Sequence, residues 1–403
     1  MKNSSTAAVS GKQEPVTGQA IVCVGFNDWE SDLWTNQHHL MARLAAADNC
    51  ILFVESLGLR RPSIARRDLR RMARRLHRAF GGPRRLDGVH VLSPLVVPAH
   101  GIRVARELNA RLLPMMVGRA TQRLGLAHPI LWSYLPQAEV LLAPLRPGRV
   151  IYHCVDDVAA HPRIDSASFR RAEARFAAAA DAILCSAPPL AERMRTLAPP
   201  ERVHLMPNVA DTERFGQAMA EGPVDAELAA LPQPRLVFTG AITAVKVNFH
   251  LLRDLSRRRR DWTIALVGPV GLGDPTTDVR ELAAEPNVHI LGTRRYDDLP
   301  AVLRGAAVGL IPYHRNALTG SIFPMKVYEY LAAGLPVVAT PLPSLVGVQG
   351  IALAEGPDGF AAAIGRAIAD DSPQRREQRS RDAATHSWEA RLREIDEVLS
   401  ACA

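Results

Sequence analysis

Between Phe323 and Thr340 the chain reads FPMKVYEYLAAGLPVVAT, and two of its residues break the apolar pattern. Lys326 and Glu329 stand three positions apart, a spacing that puts them on one face of a helix. Pro324 suits a first helical turn, Gly334 suits the position just past the end, and Pro336–Thr340 reads as a short buried strand. A cation in a first turn opposes the positive end of the helix dipole, and an anionic ligand would remove that penalty. Free backbone N–H groups at such a terminus favour phosphate. Glu329, a turn further in, could accept two hydrogen bonds from a ribose diol. Phosphate beside lysine and ribose beside carboxylate together describe a nucleoside diphosphate. The alternative is a surface ion pair on an amphipathic helix, contributing under ~1 kcal/mol. The polar run before the helix, with Tyr313, Asn316, Thr319 and Ser321, would line the same site, as would Met325.

A second group lies in YHCVDDVAAHP, where Asp156 and Asp157 follow an apolar run. Adjacent carboxylates raise each other's pKa, and one of them, partly desolvated, suits a general base. Asp156 is assigned that role and Asp157 a capping or orienting one; a plain helix cap is the competing reading. Gly240, after the run RLVFT, either lets a phosphate approach the backbone or makes a simple tight turn. Gly268, Gly271 and Gly273 lack the G-x-G-x-x-G spacing of a dinucleotide site. In NDWESDLWTNQHHL, Trp29 and His39 are candidates for acceptor contact, with packing or capping as the alternative. His38 and His39 would diverge on a helix, so no metal pair is read there. The five cysteines are scattered without C-x-x-C spacing, which excludes a zinc ribbon and a disulfide framework. No metal and no cofactor are expected.

These residues need a scaffold. From residue 20 onward short apolar runs alternate with helical patterns: Ala20–Phe26, Cys50–Ser56, Val89–Leu95, Pro129–Leu135, Arg149–Asp157 and Ala182–Ala187 read as strands. The pattern restarts with RLVFTGAI, WTIALVGP, VHILGT, VGLIPYH, PVVAT and GIALAE. Continuous apolar runs between helices mark parallel sheets covered on both faces, so the fold class is α/β with two doubly wound, Rossmann-like domains facing a cleft. Residues 1–19 read as a disordered tail and 20–210 as the amino-terminal acceptor domain, joined by a returning helix at 386–403. Residues 211–385 read as the donor domain. In open sheets of this kind ligands collect at the carboxyl ends of strands, where all the candidates above fall.

The net charge of +8 and pI near 9.6 point to an anionic partner. Between Arg60 and Arg85 eleven arginines meet one acid, Asp68, with Leu69, Met72, Ala73 and Leu76 on the other side of a helical pattern. Such a helix suits an anionic membrane surface, or is a solvated face. Nucleic acid is not the expected partner, because no aromatic residues interleave with these arginines to stack on bases. No run approaches the ~20 apolar residues of a membrane span. The expected location is cytoplasmic, peripheral at the inner face of the cell membrane.

The segment PMKVYEYLAAGLPVVAT resembles the donor-binding segment of GT-B glycosyltransferases of the family 4 type, glycosyl transferases group 1. MPNVADTERF is similar to their interdomain P-N-G-V-D-x-x-x-F stretch, with Val209 in place of the usual Gly. The PMK triplet also resembles the xanthan-type glucuronosyltransferases, where a Met-Lys pair contacts the donor and an amino-terminal aspartate is the base. The resemblance implies a GT-B fold and sugar transfer from a nucleoside-diphosphate sugar, UDP or GDP, to a glycan or lipid-linked acceptor in cell-surface polysaccharide synthesis. It implies donor contacts at Gly240, Lys326 and Glu329. Many family 4 members carry Glu-x7-Glu, and Ser321 stands at the first position, so retention of configuration is not carried over. GT-B enzymes generally need no metal, which agrees with the lack of any Asp-x-Asp. A nucleotide-sugar epimerase of the same architecture and a non-catalytic membrane scaffold are the alternative readings.

Overall fold

A computed structural model of the chain describes residues 16–31, 33–57, 81–97, 103–161 and 164–401. The first sheet holds β1 (Ala20–Val24), β2 (Cys50–Val54), β3 (Arg84–Leu86), β4 (Val89–Leu92), β5 (Ile130–Ser133), β6 (Arg149–Cys154), β7 (Ala182–Cys185) and β8 (Val203–Leu205). Their order is β3-β4-β2-β1-β5-β6-β7-β8, parallel except where β3 meets β4. The second sheet is parallel: β9 (Arg235–Thr239), β10 (Thr263–Val267), β11 (Val288–Gly292), β12 (Val308–Ile311), β13 (Val337–Ala339) and β14 (Ile351–Leu353). Its order is β11-β10-β9-β12-β13-β14. Ile21–Val24, Ile51–Val54 and Leu236–Phe238 are wholly buried, as strands covered by helices on both faces must be.

The strand order reverses between β1 and β5 in one sheet and between β9 and β12 in the other. Crevices open at the carboxyl ends of such pairs. The chain passes from the first sheet to the second through residues 206–211 and comes back at 386–388. There Ala210 and Ser387 form a parallel bridge and the Ala210 N–H donates to the His386 carbonyl at 3.2 Å. The closing helix, Trp388–Ala401, returns to the first sheet. Its Trp388, Ile395 and Leu399 share a core with Ile21, Cys23, Trp132 and Ile151.

Three details depart from the sequence reading. Residues 16–19, assigned to the tail, are tied down: the Gln19 N–H donates to Asn49 Oδ1 at 2.9 Å and Val16 packs on the core. Residues 1–15 lie outside the described residues. β3 is a strand that hydrophobicity does not reveal, because two of its three residues are arginines. Asp87 and Gly88, both at positive φ, turn it directly into β4, with Leu86 opposite Val89. β8 is an edge run only three residues long, too short for the apolar pattern to mark as a strand. Most of the Arg60–Arg85 stretch, residues 60–80, lies outside the described residues; Arg84 belongs to β3 and pairs with Glu30 at 3.0 Å.

Candidate active site

The site is built on the glycines that end β9 and β10. The Gly240 N–H donates to the Val267 carbonyl at 2.9 Å, which draws the two strand ends together. A Cβ on Gly268, at φ +151°, would sit 2.0 Å from the Gly240 carbonyl oxygen. No side chain fits there. Gly268→Ala is therefore expected to cost at least about 2 kcal/mol, since the backbone must be displaced as well as strained, and urea unfolding would measure it.

Gly240, at φ +113°, leaves open the space in which Lys326 lies, with Nζ 3.6 Å from where a Cβ would be. That ammonium donates to the Tyr313 hydroxyl at 2.9 Å and lies 5.1 Å from the centroid of the Phe238 ring. Burial pulls the lysine pKa down, and the phenols of Tyr313 and Tyr330 with the Glu329 carboxyl more than reverse it, so the group stays charged. Tyr313 is fixed from behind by Thr340, whose hydroxyl donates to the Tyr313 carbonyl at 2.8 Å. Tyr330 accepts the Thr239 N–H at 2.8 Å and so locks the last residue of β9 to the lysine's own helix.

That helix, Lys326–Ala332, is only seven residues long, and Gly334 follows it at φ +75°. It begins two residues later than Pro324 suggested. The positive charge of the site is therefore chiefly the Lys326 ammonium itself. Glu329 does not pair with Lys326: among the described residues no cation lies within ion-pair distance of its carboxylate. Burial, resisted by Lys326 and reinforced by the nearby Asp211, lifts its pKa to about 7.

The pH consequence has a definite sign. A carboxyl whose folded pKa lies above its unfolded value holds a proton in the native state that the unfolded chain has already released. Its stabilising contribution is full below about pH 4.5 and is lost as pH rises through about 7. A ribose diol donating to the carboxylate favours the ionised form. Nucleotide binding near pH 7 is accordingly expected to release up to one proton, visible as a buffer-dependent calorimetric enthalpy; no buffer dependence would separate Glu329 from the ligand.

The loop 241–246 beyond Gly240 is braced by the next crossover. The Ile242 N–H donates to the Pro269 carbonyl at 3.0 Å, and Asp274 accepts the Val245 N–H at 3.2 Å. Across the cleft Asp156 follows β6, half-buried, with its carbonyl accepting the Val158 N–H at 3.0 Å. Asp157 receives both of its bonds from Arg170 Nη2, each 2.7 Å. Arg170 and Arg193 also hold the buried Glu173, which accepts the Tyr152 hydroxyl at 2.9 Å. The helix carrying Arg193, Pro188–Met194, packs against the 319–321 and 343–345 turns of the second sheet's side.

Residues 233–370, which contain this glycine–lysine–glutamate arrangement, match the sequence family described as glycosyl transferases, group 1. The putative teichuronic acid biosynthesis glycosyltransferase TuaH of Bacillus subtilis (strain 168) is 30% identical over 281 residues, covering 66% of this chain and 70% of that protein. The chain belongs to the group 1 glycosyltransferases. Solved structures share the architecture across nearly its whole length. Sucrose-phosphate synthase from Thermosynechococcus elongatus superposes with a TM-score of 0.69 at 16% identity, covering 95% of this chain and 98% of that one. Anabaena HepE in complex with UDP-glucose gives 0.65 at 13% identity, covering 95% and 99%. The fold of this glycosyltransferase is GT-B, and neither the epimerase nor the scaffold reading finds support in these matches.

The glycosyltransferase brings Gly240, Lys326 and Glu329 into one place and puts other candidates to different uses. The Thr319 hydroxyl is held within its own loop, bonded to the Asn316 N–H at 3.1 Å and to the His314 carbonyl. Ser321 is buried in the same turn. Met325 packs, partly buried, onto the core shared by the first sheet and the closing helix. Asp157 is an ion-pair partner whose side chain makes no capping bond.

Trp29 and His39 need correcting as acceptor contacts. Trp29 is 1% exposed, edge-on to Phe53, and its indole N–H donates to Asp87 at 3.0 Å. It is core. His39 is 2% exposed, its ring 4.8 Å from Tyr296 and stacked at 5.6 Å on Trp388. That is the seam between the domains, where burial and the neighbouring Arg43 hold the imidazole neutral, at about 3. Sequence reasoning missed Tyr330, Asp211 and Asn208; all three stood inside the quoted motifs, where their partners were the absent information.

Proposed function

We propose that this glycosyltransferase moves a sugar from a nucleoside-diphosphate sugar, with UDP or GDP as carrier, to a lipid-linked or glycan acceptor in cell-surface polysaccharide synthesis. The observation that carries the reading is the Lys326 ammonium over Gly240 with the buried Glu329 carboxyl further along the same helix. Lys326 and Glu329 are not each other's partners, and one suits a diphosphate as the other suits a ribose. The teichuronic acid relative and the UDP-glucose complex of HepE support the substrate class.

In the mechanism, the Asp156 carboxylate takes the proton of the acceptor hydroxyl from the amino-terminal side of the cleft. The freed oxygen bonds to the anomeric carbon as the bond to the diphosphate oxygen breaks. The departing charge meets the Lys326 ammonium, and the Arg170–Asp157–Arg193 network holds the turn that carries Asp156. Ser321 offers no carboxylate on the sugar side, so a single displacement with inversion fits this set of groups. Binding needs no metal in this reading.

Attachment to the inner face of the membrane belongs to the same proposal. Among the described residues no helix is long and apolar enough to cross a membrane. The helix Arg103–Leu124 turns Val104 (72% exposed), Leu108 and Met115 outward beside Arg111 and Arg119, a mixture that suits an anionic lipid surface.

A thermal-shift panel of UDP, GDP, ADP, dTDP and CMP, each with magnesium and with EDTA, tests the reading. One diphosphate at 100 times its dissociation constant should add about 2.7 kcal/mol of stability, equally in both conditions. A flat panel in folded protein rejects the donor site, and a shift that needs magnesium rejects metal independence.

A further inference from the structure

We propose that Asn208 is a positioning residue: its amide ties closure of the two domains to the seat of the donor helix. Its Nδ2 donates to the Phe323 carbonyl at 2.8 Å, three residues before Lys326. Its Oδ1 accepts from Asn36 Nδ2 at 3.0 Å, at the first residue of the amino-terminal helix Asn36–Ala46. The orientation of the amide follows from chemistry. A carbonyl only accepts, so the group facing Phe323 must be Nδ2, and Oδ1 is left for Asn36. One side chain thus bonds two partners from opposite domains, 172 and 115 residues away in sequence.

The linker does not depend on this amide for its own place. Arg391 Nη2 donates to the Pro207 carbonyl at 2.5 Å, Arg43 pairs with Asp211 at 2.9 Å, and Ala210 is bridged to Ser387. Removing the Asn208 amide therefore leaves the linker docked and the two sheets intact. What it removes is the connection. Asn36 holds Oδ1 from the helix that Arg43 ties to the same linker, and in the closed arrangement the other end of the same rigid amide holds the Phe323 carbonyl, so closure and helix position are set together. Open domains leave the amide with one partner and freedom to turn.

The two ends can be cut separately, because they use different atoms. Asn208→Asp keeps the acceptor for Asn36 and loses the donor to Phe323. Asn36→Ala does the reverse, and Asn208→Ala loses both. The full-length protein without nucleotide is measured in two ways: radius of gyration by small-angle scattering, and amide hydrogen exchange over residues 326–332. The donor-site reading enters only in giving that helix its role, so a flat nucleotide panel would not bear on this test. Asn36→Ala, which leaves the amide free to turn, is expected to enlarge the radius and to raise exchange in the helix together. Asn208→Asp is expected to raise exchange in the helix about fivefold, the factor of one net hydrogen bond, and to enlarge the radius as well. Asn208→Ala should show both. A change in one reading without the other, in any of the three variants, overturns the proposal. So does a uniform fall in thermal stability with neither change, which is what a merely structural asparagine would give.

Discussion

Lys326→Ala is expected to weaken the binding of UDP or GDP, whichever the wild type takes, by roughly 10- to 100-fold, the range for a hydrogen bond to a charged group. The fold should survive, because the ammonium rests on Tyr313 and on an aromatic face without making an ion pair. Glu329→Ala should lose about tenfold for the ribose contact while gaining stability above pH 7, where the wild-type carboxylate is buried and ionised. That opposed pair of effects is diagnostic. A residue that merely stabilised the helix would lose affinity and stability together. Titration calorimetry and urea unfolding at pH 8 would measure both, and unchanged nucleotide affinity in the two variants would remove the donor site.

Asp156→Asn carries the second large effect. A positioned general base contributes roughly 10²–10⁴ in rate, so transfer should fall by that factor while nucleotide affinity stays within twofold of wild type. Arg170 and Arg193 hold Asp157, and an amide at 156 leaves that network untouched. Asp157→Asn is the contrasting variant. It weakens a partly buried ion pair and should lower stability by about 1–3 kcal/mol as well as rate. Wild-type turnover in Asp156→Asn would clear that residue of the base role.

The sheets were legible because strands buried on both faces cannot alternate; they must read as unbroken apolar runs, as Ile21–Val24 and Leu236–Phe238 do. Lys326 and Glu329 were legible for the opposite reason, as charges where the surrounding pattern had no place for them. What stayed hidden depends on distance in sequence. Nothing local marks Asn208 as the partner of both Asn36 and Phe323, or His39 as the neighbour of Tyr296 and Trp388. Trp29 was misjudged for a related reason. A polar or amphipathic group at a strand end can face a ligand or satisfy its own surroundings, and only the completed packing distinguishes the two.

The side-by-side crossings at Ala210 and Ser387 have a mechanical consequence. Two attachments spread across an interface would let one half slide over the other or hold it rigid. Two attachments lying together act as a pivot, and the remaining freedom is rotation about it. Displacement then grows with the lever arm: groups next to the pivot, such as Asn208 and Asp211, move little, and groups further from it move more. A few degrees at the pivot are enough to admit or shut out solvent along the far rim.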